Sequence, residues 1–418
     1  MTEVIELAKA LISCPSVTPL TAGAFDVIEA YLKPLGFVAH RVTFGEGADA
    51  VENLYLRHGT SGPNFCFAGH TDVVPPGDAA AWSVPPFSPQ VVDGELIGRG
   101  AEDMKGAIAA FMVAVKEFLI LSQRERKGPG EAGKVRAPHG KESEQAPPSP
   151  SRQGGPLPLP LGEGFKGSIS FLITQDEEGD AIYGTKPMLG WLAEQGEQLT
   201  HCLVGEPTNP DFLGEMVKIG RRGSISFQLS VRGTQGHAAY PERADNPVTR
   251  ILMMLHALKT TKLDDGTEHF PPSNLEITSV DVGNPTNNII PAVATARFNV
   301  RFNNLHTGAS IAEWVAKLCA PHGHAELTNR ITGEAFLNGD EKLTRLLVDA
   351  VKTVTGHDPK LSTTGGTSDA RYIKDICPVI EFGTTGRTAH MVDERVEVKT
   401  LEGLVDVYRQ VLEGYFGR

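Results

Sequence analysis

The sequence predicts an α/β protein: a mixed-sheet α/β/α domain into which a smaller, ferredoxin-like α+β domain is inserted. Two observations carry that prediction. Short apolar runs such as 65–68, ended by Gly69 and then polar residues, alternate with segments of helical apolar spacing, as central strands of an α/β sheet do. Between about 223 and 333 the pattern changes to long strands in the order β-α-β-β-α-β, which is that of a ferredoxin-like sandwich. The expected division is therefore 1–222 with 334–418 for the larger domain, and 223–333 for the insert.

Composition narrows the functional classes before any motif is read. The chain has 418 residues, 40% of them hydrophobic, which is ample for a large core and suits two domains better than one. A formal net charge of −12 argues against a nucleic-acid partner and against docking on an anionic membrane. The five cysteines (Cys14, Cys66, Cys202, Cys319 and Cys377) are scattered and form no Cys-x-x-Cys, so neither a disulfide framework nor a zinc knuckle is expected. The N-terminus lacks a basic stretch followed by a long apolar one, and no run reaches the ~18–20 apolar residues of a membrane span. A cytoplasmic protein is the expectation.

Taken in order, residues 3–13 and 23–34 carry apolar positions at helical spacing, with Pro15 and Pro19 interrupting the segment between them. Strands are expected at 37–43, 53–58 and 64–68, the last followed by Gly69 as a turn and then by His70 and Asp72. A Pro-rich loop and an Asp93-Gly94 turn lead into GRGAEDMKG (98–106) and a helix from about 104 to 121. Asp103, at that helix start, suits an N-cap as well as a ligand. From about 123 to 163 the chain is dense in Gly, Pro, Ser, Lys and Glu without apolar periodicity, and reads as a flexible insertion. A strand at 167–174 ends in three acids, Asp176, Glu177 and Glu178, which are costly together unless something positive sits among them. A helix covers 186–195, and a strand at 202–205 ends in Glu206. The insert holds strands at 224–232, 274–282, 292–303 and 324–331 and helices at 246–260 and 308–320. Helices at 339–355 and 368–375, a strand at 378–382 running toward His390, and a helix at 400–416 complete the chain.

His70, Asp72, Asp103, Glu177, Glu178, Glu206 and His390 thus all follow expected strands or sit at a helix start. Singly, each is as readily a loop residue, a cap or a solvated acid. Together, two imidazoles and several carboxylates form the ligand set of a two-metal hydrolytic site, with Zn²⁺ suited to mixed nitrogen and oxygen donors and Co²⁺ or Mn²⁺ able to substitute. Such a site also needs a carboxylate that is not a ligand, to accept the proton of the attacking water.

HTD (70–72), GRGAEDMKG (98–106), DEEG (176–179), GEPT (205–208) and the late His390 resemble the co-catalytic zinc aminoacylase and carboxypeptidase family of metallopeptidases, over nearly the whole chain except the insertion. KIGRRGS (218–224), GHAAYP (236–241), NNIIP (287–291), GGTSDAR (365–371) and VIEFG (379–383) resemble the branch of it acting on N-succinyl amino acids. The resemblance implies that His70 and Glu206 hold one zinc, Glu178 and His390 the other, and that Asp103 bridges them. It implies two Zn²⁺ per subunit, with Co²⁺ possible at one site. Asp72 would orient the His70 imidazole, and Glu177 would be general base and then acid. The insert would be a lid and dimerisation module, offering His237 to the partner subunit's oxyanion. Arg222, Arg301 and Arg371 are candidates for the substrate carboxylates, with Asn288, Gly366, Thr367 and Ser368 beside them. The insertion and Arg387, ahead of His390, depart from the family's pattern. N-acetylornithine hydrolysis and dipeptidase activity are the alternatives within the family, and a catalytically silent binding protein is the alternative outside it; Glu177 argues against the last, since a binder has no use for a non-ligand base.

Overall fold

The computed structural model describes residues 1–126 and 165–417. The insertion expected at about 123–163 lies outside the described residues except for its first positions, which continue a helix to Arg126. Twelve strands build the two principal sheets. In chain order they are β1 (Val38–Phe44), β2 (Val51–His58), β3 (Asn64–His70), β4 (Ser168–Thr174), β5 (His201–Val204), β6 (Met216–Lys218), β7 (Gly223–Arg232), β8 (Asn274–Asp281), β9 (Val293–Phe302), β10 (Glu326–Gly333), β11 (Lys360–Ser362) and β12 (Val379–Glu381). The larger sheet has eight strands in the order β1-β2-β4-β3-β5-β12-β6-β11.

At its centre β3 runs parallel to β4 and β5, and β12 runs parallel to β5. The carboxyl ends of these four strands therefore open on one edge, the place where ligands meet α/β sheets. β3 and β4 are buried along their whole length, which explains why their sequences read as apolar runs rather than as alternation. Helix α1 (Glu3–Ile12), α3 (Lys105–Arg126) and α9 (Val398–Tyr415), numbered among the nine helices of the described residues, pack against one another over this sheet. Their apolar faces join Phe65, Phe67 and Phe171 in the main core.

Gly69 does not begin a turn as expected; β3 continues through it to His70. Its missing side chain serves close approach instead, because a Cβ there would lie 2.6 Å from Met104 Cε. Gly205 does the same just past the end of β5, where a Cβ would meet Phe67 Cζ at 2.4 Å and Met104 Cε at 2.8 Å. The two glycines let Met104 sink against both strand ends, which carries its neighbour Asp103 to the same edge.

The second sheet has the order β8-β9-β7-β10, antiparallel throughout, with α5 (Pro247–Thr260) and α6 (Gly308–Cys319) packed on it. That order for a β-α-β-β-α-β chain is the ferredoxin-like sandwich. Its core is separate, built from residues such as Phe227, Ile251, Phe298 and Ile311.

Candidate metal centre and substrate cleft

His70 is the last residue of β3 and is almost fully buried. Its Nδ1 lies 2.9 Å from the Asp72 carbonyl oxygen. A carbonyl only accepts, so Nδ1 carries the proton and Nε2 is turned toward the open edge. The Asp72 carboxylate stands farther off, 3.6 Å from Nδ1. Its hydrogen bonds go elsewhere: it accepts from the Glu178 N–H at 3.0 Å and the Glu177 N–H at 3.4 Å. Asp72 therefore grips the turn after β4, and it is the main chain of Asp72 that orients the ring.

The three acids after β4 divide their work. The Asp176 carboxylate accepts from the N–H groups of Ala181, Ile182 and Tyr183 at 3.1, 2.8 and 2.9 Å, and so closes the following loop. Glu177 and Glu178 face the cleft. Asp103 arrives from just before α3 and stands between the two imidazoles, with Oδ1 3.2 Å from His70 Nε2 and Oδ2 3.4 Å from His390 Nε2. His390 Nε2 is 2.7 Å from Glu178 Oε1, and His70 Nε2 is 3.8 Å from Glu206 Oε1.

Two triads result, His70–Asp103–Glu206 and Asp103–Glu178–His390, each offering ligand atoms within 4.8 Å of one another and sharing Asp103. A third grouping places Glu177 and Glu178 within the same reach of His70. Buried His70 Nε2 and Asp103 Oδ1 make no hydrogen bond among the described residues despite their proximity. Polar atoms so buried are ordinarily satisfied, and a divalent cation between them would satisfy both. The donor set, imidazole nitrogen with carboxylate oxygen, fits Zn²⁺ and its neighbours.

The electrostatics fit the same demand for positive charge. Burial, with Asp103 and Glu177 beside it, holds the Glu206 carboxyl well above the usual range. His390 is pushed up to about 10 by Asp103 and Glu178. His70 is held well above its ordinary value because Asp103, Asp72 and Glu206 outweigh the opposing effect of burial. Glu177 is raised to about 8, chiefly by burial, with Asp369 and Glu178 adding repulsion against the pull of His70. A divalent cation beside this carboxyl would draw it back toward the ionised form that a general base needs.

The cleft above these groups is lined from both parts of the chain. Arg301 and Arg330 come from the ferredoxin-like part, while Arg221, Lys186, Gly366, Thr367 and Arg371 come from the larger one. Four other candidates lie elsewhere. Arg222 is not in the lining; it donates to Asn274 at 3.0 Å. Ser368 is fully buried and donates to Glu381 at 2.8 Å. Asn288 is exposed outside the cleft. His237 is exposed too, its Nδ1 accepting from the Ala239 N–H at 3.0 Å. Arg221 takes the place expected of Arg222, reaching the cleft while its guanidinium pairs with Glu381 and donates to the Gly366 carbonyl. Successive residues of an extended chain point to opposite faces, and nothing in RR (221–222) says which of the two points inward. Arg330, Lys186 and the buried carboxylate Glu394 carried no local signal in the sequence either, and Glu102 and Glu381, though inside GRGAEDMKG and VIEFG, had no role marked for them.

Comparison with known proteins adds an independent line. The family profile described as Peptidase family M20/M25/M40 matches residues 66–128, and the one described as Peptidase dimerisation domain matches residues 219–326. The chain is 50% identical over 414 residues to the succinyl-diaminopimelate desuccinylase of Rhodospirillum centenum, covering 99% of this chain and 97% of that protein. It is 51% identical over 417 residues to the protein of the same name from Maricaulis maris, covering 99% and 95%. The solved structure of an M20 family metallo-carboxypeptidase from Sulfolobus solfataricus has a TM-score of 0.71 at 14% identity, with 99% of both chains covered. A dinuclear metal binding peptidase of the M20 family from Bacillus subtilis has a TM-score of 0.64 at 14% identity, covering 99% of this chain and 97% of that one. At such identities the two structures speak for the fold alone.

Proposed function

The chain belongs to peptidase family M20/M25/M40, among the succinyl-diaminopimelate desuccinylases, and from that premise we propose that it hydrolyses N-succinyl-LL-2,6-diaminoheptanedioate to succinate and LL-2,6-diaminoheptanedioate. It is a metal-dependent amidohydrolase. The observation that carries the mechanism is Asp103 standing between His70 and His390 with three further carboxylates around them.

In this reading His70 and Glu206 hold one ion, Glu178 and His390 the other, and Asp103 serves both. Zinc would suit this donor set, with cobalt able to replace one ion. When bound, the pair supplies a polarised amide carbonyl and a water acidic enough to attack at neutral pH. Glu177, which completes neither triad that shares Asp103, would take the proton from the attacking water and deliver it to the departing amine. The cationic lining of Arg221, Arg301, Arg330, Arg371 and Lys186 offsets the substrate's carboxylates in an otherwise acidic protein.

Residues 223–333 form the lid and join two copies as a homodimer, within which His237 serves the partner's site. The match of 219–326 to a dimerisation domain supports this, as does a His237 that lies outside its own cleft. The enzyme works in the cytoplasm; no helix of the described residues is long and apolar enough to cross a membrane. A substrate panel on protein of known metal content tests the assignment. Hydrolysis of the N-succinyl substrate should exceed that of N-acetylornithine by a wide margin, and the opposite preference would reject it.

A further inference from the structure

Two buried carboxylates beside the metal centre, Glu102 and Glu394, neither line the cleft nor belong to a metal triad. Glu102 is fully buried, one residue before Asp103. Its oxygens do not face the cleft. Oε1 accepts from Thr385 Oγ1 at 2.6 Å and from the Arg387 N–H at 3.0 Å. Oε2 accepts from the Thr388 N–H at 2.6 Å and from Thr388 Oγ1 at 2.8 Å. The Thr384 hydroxyl also donates to the Glu102 carbonyl at 2.6 Å. Every acceptor of this residue thus goes to the short segment that ends at His390.

A return tie runs the other way. Glu394, also fully buried, accepts from the Glu102 and Asp103 N–H groups through Oε1 at 2.9 and 3.0 Å, and from Arg99 through Oε2 at 2.7 Å. Between these two clasps stands His390, whose φ of 65° lies in the left-handed region. A non-glycine residue keeps such a backbone only where its surroundings over-determine it. The segment before it carries Gly386 and Arg387, both exposed. Asn209 ties it through the Gly386 N–H at 2.9 Å and Arg395 ties it through Thr388, but of these partners only Glu102 adjoins Asp103 in the chain.

We propose that Glu102 is a positioning residue that sets the spacing of Asp103 and His390, and so the affinity of the second metal position, without touching metal or substrate. The inference rests on the two-ion reading above. Glutamine is the informative replacement. Each Glu102 oxygen receives one backbone N–H and one hydroxyl, so an amide NH₂ must face a backbone N–H whichever way it turns. A hydroxyl can rotate to accommodate it; the N–H cannot.

The test uses metal-stripped full-length protein, titrated with Co²⁺ and followed by visible absorption and metal counting. The parent should take two ions in resolvable steps, one weakened by His390→Ala and the other by His70→Ala. Glu102→Gln should weaken the step that His390→Ala weakens by roughly 10- to 100-fold, the usual cost of losing a support behind a ligand, and leave the other at the parent value. Equal weakening of both steps, or of neither, overturns the proposal. Should Glu102→Gln not fold, Thr385→Val removes a single donor and should weaken that same step by roughly 2- to 10-fold; no change there overturns the proposal as well. A parent that binds fewer than two ions, or a His390→Ala protein that keeps both steps, rejects the two-ion reading itself, and is told apart by that.

Discussion

Glu177 and Lys105 show how burial sets the behaviour of single residues at this edge of the sheet. Glu177 is held protonated more readily than an ordinary glutamate, yet it completes neither metal triad that shares Asp103. Replacing it with alanine should therefore lower turnover by roughly 10²- to 10⁴-fold while both ions are retained; metal counting beside a kcat measurement checks this, and unchanged turnover removes Glu177 from the mechanism. Lys105, fully buried, donates to the Cys14 carbonyl at 2.8 Å. Burial pushes its ammonium down to about 8, against the pull of Cys14, Glu394 and Asp72. From that value up to the ordinary 10.5 of an exposed lysine, the unfolded chain holds a proton that the native one has released. The contribution of Lys105 to stability therefore rises with pH across that window, by at most about 1.4 kcal/mol per pH unit. His390, raised to about 10, contributes with the opposite sign over this range and Lys218, lowered to about 8, with the same sign, so the Lys105 part is read as a difference. In urea unfolding of metal-free protein at pH 8 to 9.5 the parent's slope should exceed that of Lys105→Met, and an identical slope in the variant would reject it.

At the scale of elements, the centre depends on how closely α3 approaches β3 and β5. Met104 fills the space that Gly69 and Gly205 leave open, and the His70 N–H lies 3.4 Å from its sulfur. A methyl at Gly205 has no room between Phe67 and Met104. Gly205→Ala should therefore cost about 1–3 kcal/mol by overpacking, read as a lower urea midpoint with an unchanged m-value, and should lower metal affinity as Asp103 is displaced. A variant as stable as the parent would mean that Met104 swings aside freely.

The whole molecule brings a further requirement, since the cleft takes cationic side chains from both the larger part and the ferredoxin-like part while His237 stays outside it. If His237 serves the other copy of a two-fold dimer, two individually inactive proteins should complement each other. Mixing Glu177→Ala with His237→Ala under conditions of subunit exchange should restore about a quarter of parental activity, because half the dimers are mixed and each holds one intact site. No recovery, with exchange demonstrated, would confine His237 to its own subunit or remove it from catalysis.

Much of this was legible in the chain itself. The apolar runs of β3 and β4 are buried on both faces, so their composition alone announces central strands, and the polar residues that end them fall at the sheet's open edge. For that reason His70, Asp72, Glu177, Glu178 and Glu206 fall into one group on pattern, with Asp103 at a helix start and His390 beyond β12 beside them; which of them would be ligands is what the family resemblance implies. What remained hidden depends on contacts between segments far apart in sequence. Whether Arg221 or Arg222 faces the cleft is a matter of backbone phase, which neither residue's identity encodes. That Asp72 holds the Glu177–Glu178 turn, and that Glu102 clasps the segment before His390, follows from chain pairings across more than a hundred residues. Local pattern records which side chains avoid water; which polar partner a buried carboxylate meets is decided only when the strands and loops are packed together.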